Sequence, residues 1–270
     1  MKRSVRVLVN KIFGRVERFF LTPKLRILKT VYINFRSLPI NQAFKFPIFI
    51  YGNYKIYSLN GKIEIHGGIR PGMVKVGNPI HGAVIEARTG YIRNHGVIKI
   101  FGPVQIVNGV SINIVGGELI LGSNVLIGEN VRIVCANNIQ INQGTRIAHE
   151  SQIIDTNFHY MLNTSNKKII DTKGDIILGK WCWVGNRTTI QKGTILPDNV
   201  IVSSNSILNK NYNGSVPEFS VIGGQPAKLL KTGVRRIFNI NNEIKLNLWF
   251  KTNIDNPYLL NECNEDEFCI

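Results

Sequence analysis

No stretch of eighteen uncharged apolar residues occurs in this 270-residue chain, so no membrane-spanning helix is expected. The four cysteines, Cys135, Cys182, Cys263 and Cys269, include no C-x-x-C pair. That absence argues against a zinc site and a disulfide framework, and points to a reduced, cytoplasmic chain. The basic N-terminus lacks a clean apolar stretch followed by a cleavage site, so a secretory leader is not expected. Acidic residues are few, 17 against 33 lysines and arginines, which leaves a net charge of +16. Helical periodicity is missing where the patterning is strongest: apolar residues recur there neither every three or four positions nor in simple alternation.

What stands in its place is a period of six. Leu178, Val184, Ile190, Leu196, Val202 and Leu208 keep it without a break, and Cys182, Thr188, Thr194, Val200 and Ser206 each follow four positions after one of them. The same beat links Leu121, Ile127 and Ile133, with Val125 and Val131 as partners. It slips by two residues at Ile139-Gln140 and resumes through Ile141, Ile147 and Ile153, with Thr145 and Ser151. Such a pattern predicts a solenoid, in which each repeat makes one flat side of a coil and coils stack. Three short strands close a triangular coil, each giving one large aliphatic to the interior, and the next coil lies about 4.8 Å further along the axis. Small residues at the partner position leave room near the corners. Glycines after the aliphatic, Gly122, Gly128, Gly179 and Gly185, are expected to permit tight backbone corners. The beat stops between Ile154 and Ile177, a gap that holds Asp155, Phe158 and His159.

Three regions follow. Residues 1–45 form a basic amphipathic segment, read as one or two short helices interrupted by Pro23 and ended near Pro39. Lys2, Arg3, Arg6, Lys11, Arg15, Arg18, Lys24, Arg26 and Lys29 stand there against Glu17 alone, interleaved with apolar residues such as Val7, Ile12 and Phe19. Attraction to an anionic surface is implied, and peripheral membrane association is favoured over nucleic acid, for which no module is present. Residues 46–222 form the solenoid, irregular up to Glu118, with an excursion over 154–177. Residues 223–270 are expected to carry a short basic helix over 227–238 and a loosely held acidic tail.

Several stretches resemble the hexapeptide-repeat acyltransferases, in the branch of maltose, galactoside, xenobiotic and polysaccharide O-acetyltransferases. They are residues 153–159 (Ile-Ile-Asp-Thr-Asn-Phe-His), residues 177–185 (Ile-Leu-Gly-Lys-Trp-Cys-Trp-Val-Gly), Ile190-Gln191-Lys192-Gly193, and Ser203 to Ser206 on to Gly223-Gly224-Gln225-Pro226-Ala227-Lys228. The resemblance covers roughly residues 119–232. It implies an all-β fold, a left-handed parallel β-helix with short terminal helices; handedness rests on the resemblance, since parallel crossovers are normally right-handed. It also implies transfer of an acetyl group from acetyl-CoA to an acceptor, with no metal, in a homotrimer whose site lies between two solenoids. The basic leader favours a saccharide hydroxyl, in capsule, exopolysaccharide or lipopolysaccharide synthesis at the inner face of the membrane, as the acceptor.

A hydroxyl needs a base, and histidine titrates nearest neutral pH. The resemblance gives that role to His159 in the excursion. Asp155 either holds the imidazole in its tautomer or is a loop-entry turn residue. His149 reads as a surface position. For coenzyme A, the resemblance implies Trp183 packed on the pantetheine arm, backbone amides of Asn186 and Ser204 beside it, and Lys210, Lys228 and Lys231 near the phosphates. At Ser203-Ser204-Asn205 the chain departs from the Gly-Ala-Gly frequent in relatives. Direct transfer is expected, because no Ser-His or Cys-His pair suggests a covalent intermediate. Rival readings are a xenobiotic acetyltransferase, a non-catalytic β-helix scaffold, and a metal-dependent hydratase, which would need three converging imidazoles.

Overall fold

Inward aliphatics six residues apart require a backbone that turns after every short strand. In a computed structural model that describes residues 24–78, 88–254, 256–260 and 264–270, the chain follows that course. Successive strands lie on successive faces of a three-sided prism, so neighbours within a face are one coil apart. The first face holds nine strands, from Ile48–Ile50 to Ala227–Thr232. The second holds seven, from Tyr54–Leu59 to Ile207–Leu208, and the third five, from Lys62–Ile65 to Ile176–Leu178. Among the described strands, every pair is parallel except the last, Ser220–Gly224 with Ala227–Thr232.

Parallel register stacks like on like. Ile106, Ile127, Ile147, Val184, Val202 and Ile222 form a column inside the first face. Ile112, Ile133, Ile153, Ile190 and Leu208 form one inside the second, and Leu121, Ile141 and Leu178 one inside the third. All are buried. The small partner residues also satisfy backbone. The Thr145 hydroxyl donates to the Gly179 carbonyl at 2.7 Å and accepts from the Cys182 amide at 3.1 Å. Ser151 does the same between Gly185 and Thr188.

The slip in the beat has a location. Ile133 to Ile141 spans eight residues, because Ala136 and Asn137 lengthen the corner between the second and third faces and the third-face strand Asn138–Ile141 turns both Ile139 and Ile141 inward. The excursion leaves from that same corner one coil later, between Gln152–Ile154 and Ile176–Leu178. Beyond it, Leu178 to Leu196 to the end of the beat runs without insertion.

The corner glycines work differently from the expectation. Gly122, Gly128, Gly179 and Gly185 lack left-handed φ; that conformation falls two residues later, on Asn124, Asn130, Trp181 and Arg187, at φ of 54–59°. What excludes a side chain at these glycines is the next coil. A Cβ on Gly179 would lie 2.4 Å from the Pro197 carbonyl oxygen, and one on Gly185 2.6 Å from the Ser204 nitrogen.

Both ends are finished by polar chemistry. Helix α1 (Ile27–Ser37), which ends before Pro39, lies along the first strand. Asn34 donates to the Ile48 carbonyl at 2.7 Å and accepts from its amide at 3.1 Å, while Thr30 accepts from the Ile50 amide at 3.0 Å. Two side chains thus take the place of a preceding strand on an edge that would otherwise be open. A short α2 (Ile40–Ala43) follows. Pro23 and the basic residues before it lie outside the described residues, as do His81 and Cys263. At the other end, the basic helix expected over 227–238 is instead the strand Ala227–Thr232, folded back on Ser220–Gly224. An edge strand offers a row of unpaired backbone groups, and these override the weak helical pattern. Helix α3 (Ile240–Phe250) comes later. The described part of the acidic tail is packed rather than loose: α4 (Glu265–Cys269) buries Cys269, whose carbonyl accepts from the Phe238 amide at 2.6 Å, and Asp266 pairs with Arg235 at 2.5 Å.

Gly179→Ala should cost about 1–3 kcal/mol, since the added methyl meets backbone and forces the coils apart. Urea unfolding would show it as a lowered midpoint, with Asn124→Gly, at a left-handed corner, as the tolerated comparison.

Candidate active site

The excursion is a closed finger. At its neck the Gly174 amide donates to the Asp155 carbonyl at 3.0 Å and the Asn157 amide to the Thr172 carbonyl at 2.9 Å, with Thr156 and Lys173 bridged antiparallel between them. Leu162 and Ile169 bridge again further out, and Asn163 turns the tip by accepting from the amides of Ser165 and Asn166. Lys192, at the same corner of the next coil, donates to the Asp171 carbonyl at 2.7 Å. Phe158 takes a left-handed φ of 61° just before His159. His159 is exposed, and its neighbours on the finger are apolar and exposed: Phe158, Tyr160, Met161, Leu162, Ile169 and Ile170.

Asp155 is fully buried and does not reach the imidazole. Its carboxylate oxygens accept from the amides of Ala136 and Asn137, both at 2.7 Å. Those are the two residues that lengthen the preceding corner. With the next coil departing into the finger, their amides have no strand above them, and the carboxylate takes its place. Asp155 therefore fixes the root of the finger rather than the ring at position 159.

The residues expected around coenzyme A divide among the prism's edges. Lys210 stands two coils beyond the finger on the same corner, its amino group 5.4 Å from the Tyr212 ring centroid. Asn186 and Ser204 sit at the corner between the first and second faces, where the Ser204 hydroxyl donates to the Asn186 side-chain oxygen at 2.5 Å. Trp183 points out from the first face, and Lys228 and Lys231 are exposed on the folded-back strand at its end. Trp181 packs over Gly144 of the coil below and edge-on to Phe238 at 5.3 Å. His149 is exposed at a coil corner. Among the described residues no three His, Cys, Asp or Glu side chains are grouped to hold a metal ion.

No family model matches the chain. Over 167 residues it is 29% identical to an Escherichia coli K12 protein, WbbJ, whose name assigns it to lipopolysaccharide biosynthesis as an O-acetyl transferase; the match spans 58% of this chain and 79% of that one. It is 26% identical to the polysialic acid O-acetyltransferase of Escherichia coli O1:K1 over 53% of this chain and 44% of that protein. The chain is thus related to proteins named as O-acetyltransferases. The crystal structure of the polysialic-acid-specific acetyltransferase NeuO superposes with a TM-score of 0.52, covering 79% of this chain and 91% of that one at 18% identity. That likeness establishes the fold as the left-handed parallel β-helix expected from the sequence.

On this hexapeptide-repeat prism, strand register shows a group that sequence reasoning missed. The outward row of the first face reads Lys75, Gln105, Leu126, Arg146, Trp183, Ile201. Arg146 is therefore the rung beside Trp183, and it lines a cleft of about 450 Å³ with Arg70, Lys75 and Gln105. Arg236 lies over the Trp183 ring at 4.8 Å and over Phe238 at 4.9 Å. Burial lowers the affinity of both Arg146 and Arg236 for their protons, and for Arg146 the nearby Arg236 adds to it. Two partly desolvated guanidinium groups beside an indole suit an anion attached to a flat or apolar group. The signal was present in the residue 37 positions before Trp183, but only a known register makes the two neighbours.

Burial holds the Cys135 and Cys182 thiols neutral. Burial pushes the Cys182 thiol up to about 12, and it pushes the Cys135 thiol and the Tyr54 phenol up as well. Below an ordinary value near 9.0 the Cys182 thiol is neutral folded or unfolded. Between 9.0 and about 12 only the unfolded chain ionises, so stability is lost as pH rises through that window. Denaturant midpoints measured up the alkaline range should fall more steeply for wild type than for Cys182→Ala. A second expectation concerns Asp155: Asp155→Ala strands two amide donors, should cost about 2–4 kcal/mol by thermal or urea unfolding, and should make the finger a preferred site of limited proteolysis.

Proposed function

We propose that this protein transfers an acetyl group from acetyl-CoA to a saccharide hydroxyl, with His159 as general base. The observation that carries the reading is the finger, which holds one imidazole clear of the prism on a neck locked by Asp155, in a chain related to O-acetyltransferases of lipopolysaccharide and polysialic acid. His159 takes the proton from the acceptor hydroxyl as its oxygen attacks the thioester carbonyl. The carbon–sulfur bond breaks, and the imidazolium returns the proton to the departing sulfur, so the ring ends neutral. Backbone N–H groups at coil corners meet the negative charge that develops on the carbonyl oxygen.

Trp183 packs on the pantetheine arm, the amides of Asn186 and Ser204 line its path, and Lys210, Lys228 and Lys231 meet phosphates, joined in this reading by Arg146 and Arg236. Because these residues stand on different edges of one prism, a complete groove needs a second solenoid beside the first. The exposed apolar flank of the finger, Tyr160, Met161, Leu162 and Ile170, suits contact with such a neighbour. A homotrimer at the cytoplasmic face of the membrane meets both requirements, with closed symmetry covering the fingers.

Acetyl-CoA turnover against a panel of soluble glycans is the test. His159→Ala should lower thiol release about 10²–10⁴-fold while leaving the acetyl-CoA KM within a few-fold of wild type; equal release from both proteins would overturn the assignment of the base.

A further inference from the structure

Helix α1 is amphipathic the wrong way round. Its inward positions include polar Thr30 and Asn34, spent on the edge of the first strand. Ile33 is buried with them, but most outward positions other than Arg36 are apolar: Ile27 is 68% exposed, Leu28 86% and Tyr32 51%, with Val31 and Phe35 in the same stripe. Residues at these spacings share one helix face. The stripe continues beyond the helix, since Phe35 meets Phe44 at 5.2 Å and Phe44 is itself 68% exposed. An apolar surface of this kind on a single-chain prism marks something it binds.

Charge selects the occupant. Residues 1–45 contain eleven lysines and arginines against Glu17 alone. Among the described ones, Arg26, Arg36 and Lys45 are exposed around the stripe. A second copy of this chain would cover the apolar residues but bring the same cations against each other. A nucleic acid would satisfy the cations but leave Ile27, Leu28 and Val31 without a reason to be outside. A lipid surface with anionic headgroups answers both, because aliphatic and aromatic side chains enter the acyl boundary while the cations stay at headgroup level.

We infer that the N-terminal end of the prism docks on an anionic membrane through the outward stripe of α1. The axis then points away from the bilayer, and the docking surface is separate from the finger and from Trp183. This end is not used by the proposed chemistry, so its test does not depend on acetyl transfer.

The full-length protein would be sedimented with vesicles of phosphatidylcholine alone and of phosphatidylcholine with phosphatidylglycerol, at low and high salt. Wild type should partition onto the phosphatidylglycerol vesicles and be released by salt. The double change Leu28→Glu and Tyr32→Glu should lower partitioning at least about ten-fold, with the unfolding midpoint and turnover of a soluble acceptor unchanged, as both side chains point to solvent. Changing Arg36 and Lys45 to Gln should weaken binding and flatten its salt dependence. Equal binding to both vesicle types, or by wild type and the Leu28–Tyr32 variant, would overturn the inference. So would a variant that lowers the molecular mass in solution while wild type ignores vesicles, or cation-dependent binding to duplex DNA in place of vesicles.

Discussion

The hydrogen bonding of each coil to the next, in parallel and in register, is the constraint under which every other feature of this chain operates. It fixes the rise between coils at the strand spacing and so forces like positions to stack. The interior can then be filled only by residues that pack on their own kind, as Ile112, Ile133, Ile153 and Ile190 do. It also brings corners within a few ångströms of one another, which is why Gly179 and Gly185 carry no side chain. A ladder of this sort has two open ends, and each is closed by a different device. Thr30 and Asn34 mimic a strand at one end, and a real strand folds back at the other.

A departure from the coil must leave the ladder intact on either side. The finger bearing His159 does so at a corner that the preceding coil already lengthens. Its neck is zipped by backbone pairs, and the amides it would leave bare are taken by the Asp155 carboxylate. Placing a side chain on an excursion gives it reach that a flat face lacks, while the root stays hydrogen-bonded to the prism. The exposed apolar residues of the described chain fall mostly on the segments outside the coils, namely α1 and its continuation, the finger, and the stretch from Leu229 to Ile270, because the coil itself buries its large aliphatics in columns.

Legibility followed locality. The six-residue beat is readable because each inward position is repeated by the next coil, so the pattern alone marks Cys182 and Thr188 as small interior residues. His159 was readable as the imidazole in the gap. The two-residue slip was visible but misplaced; it sits at Ala136-Asn137, and only the pairing of Ile139 with Ile176 reveals a longer third-face strand. Ala227–Thr232 was misread because its basic residues suit an exposed strand as well as a helix. Asp155 kept two readings in sequence, and its carboxylate is found on the amides of Ala136 and Asn137 at the root of the finger.

By itself the sequence determined the solenoid, the three inward columns and the presence of one interruption carrying a histidine. These depend on residues close together along the chain and on a period that neither a helix nor a simple alternating strand has. Tertiary structure decided which residues on successive coils are neighbours, so Arg146 became the companion of Trp183 although 37 positions separate them. It also decided that α1 turns Thr30 and Asn34 inward beside Ile33 and leaves Ile27, Leu28 and Tyr32 outside, because an open strand edge must be met by hydrogen-bonding side chains.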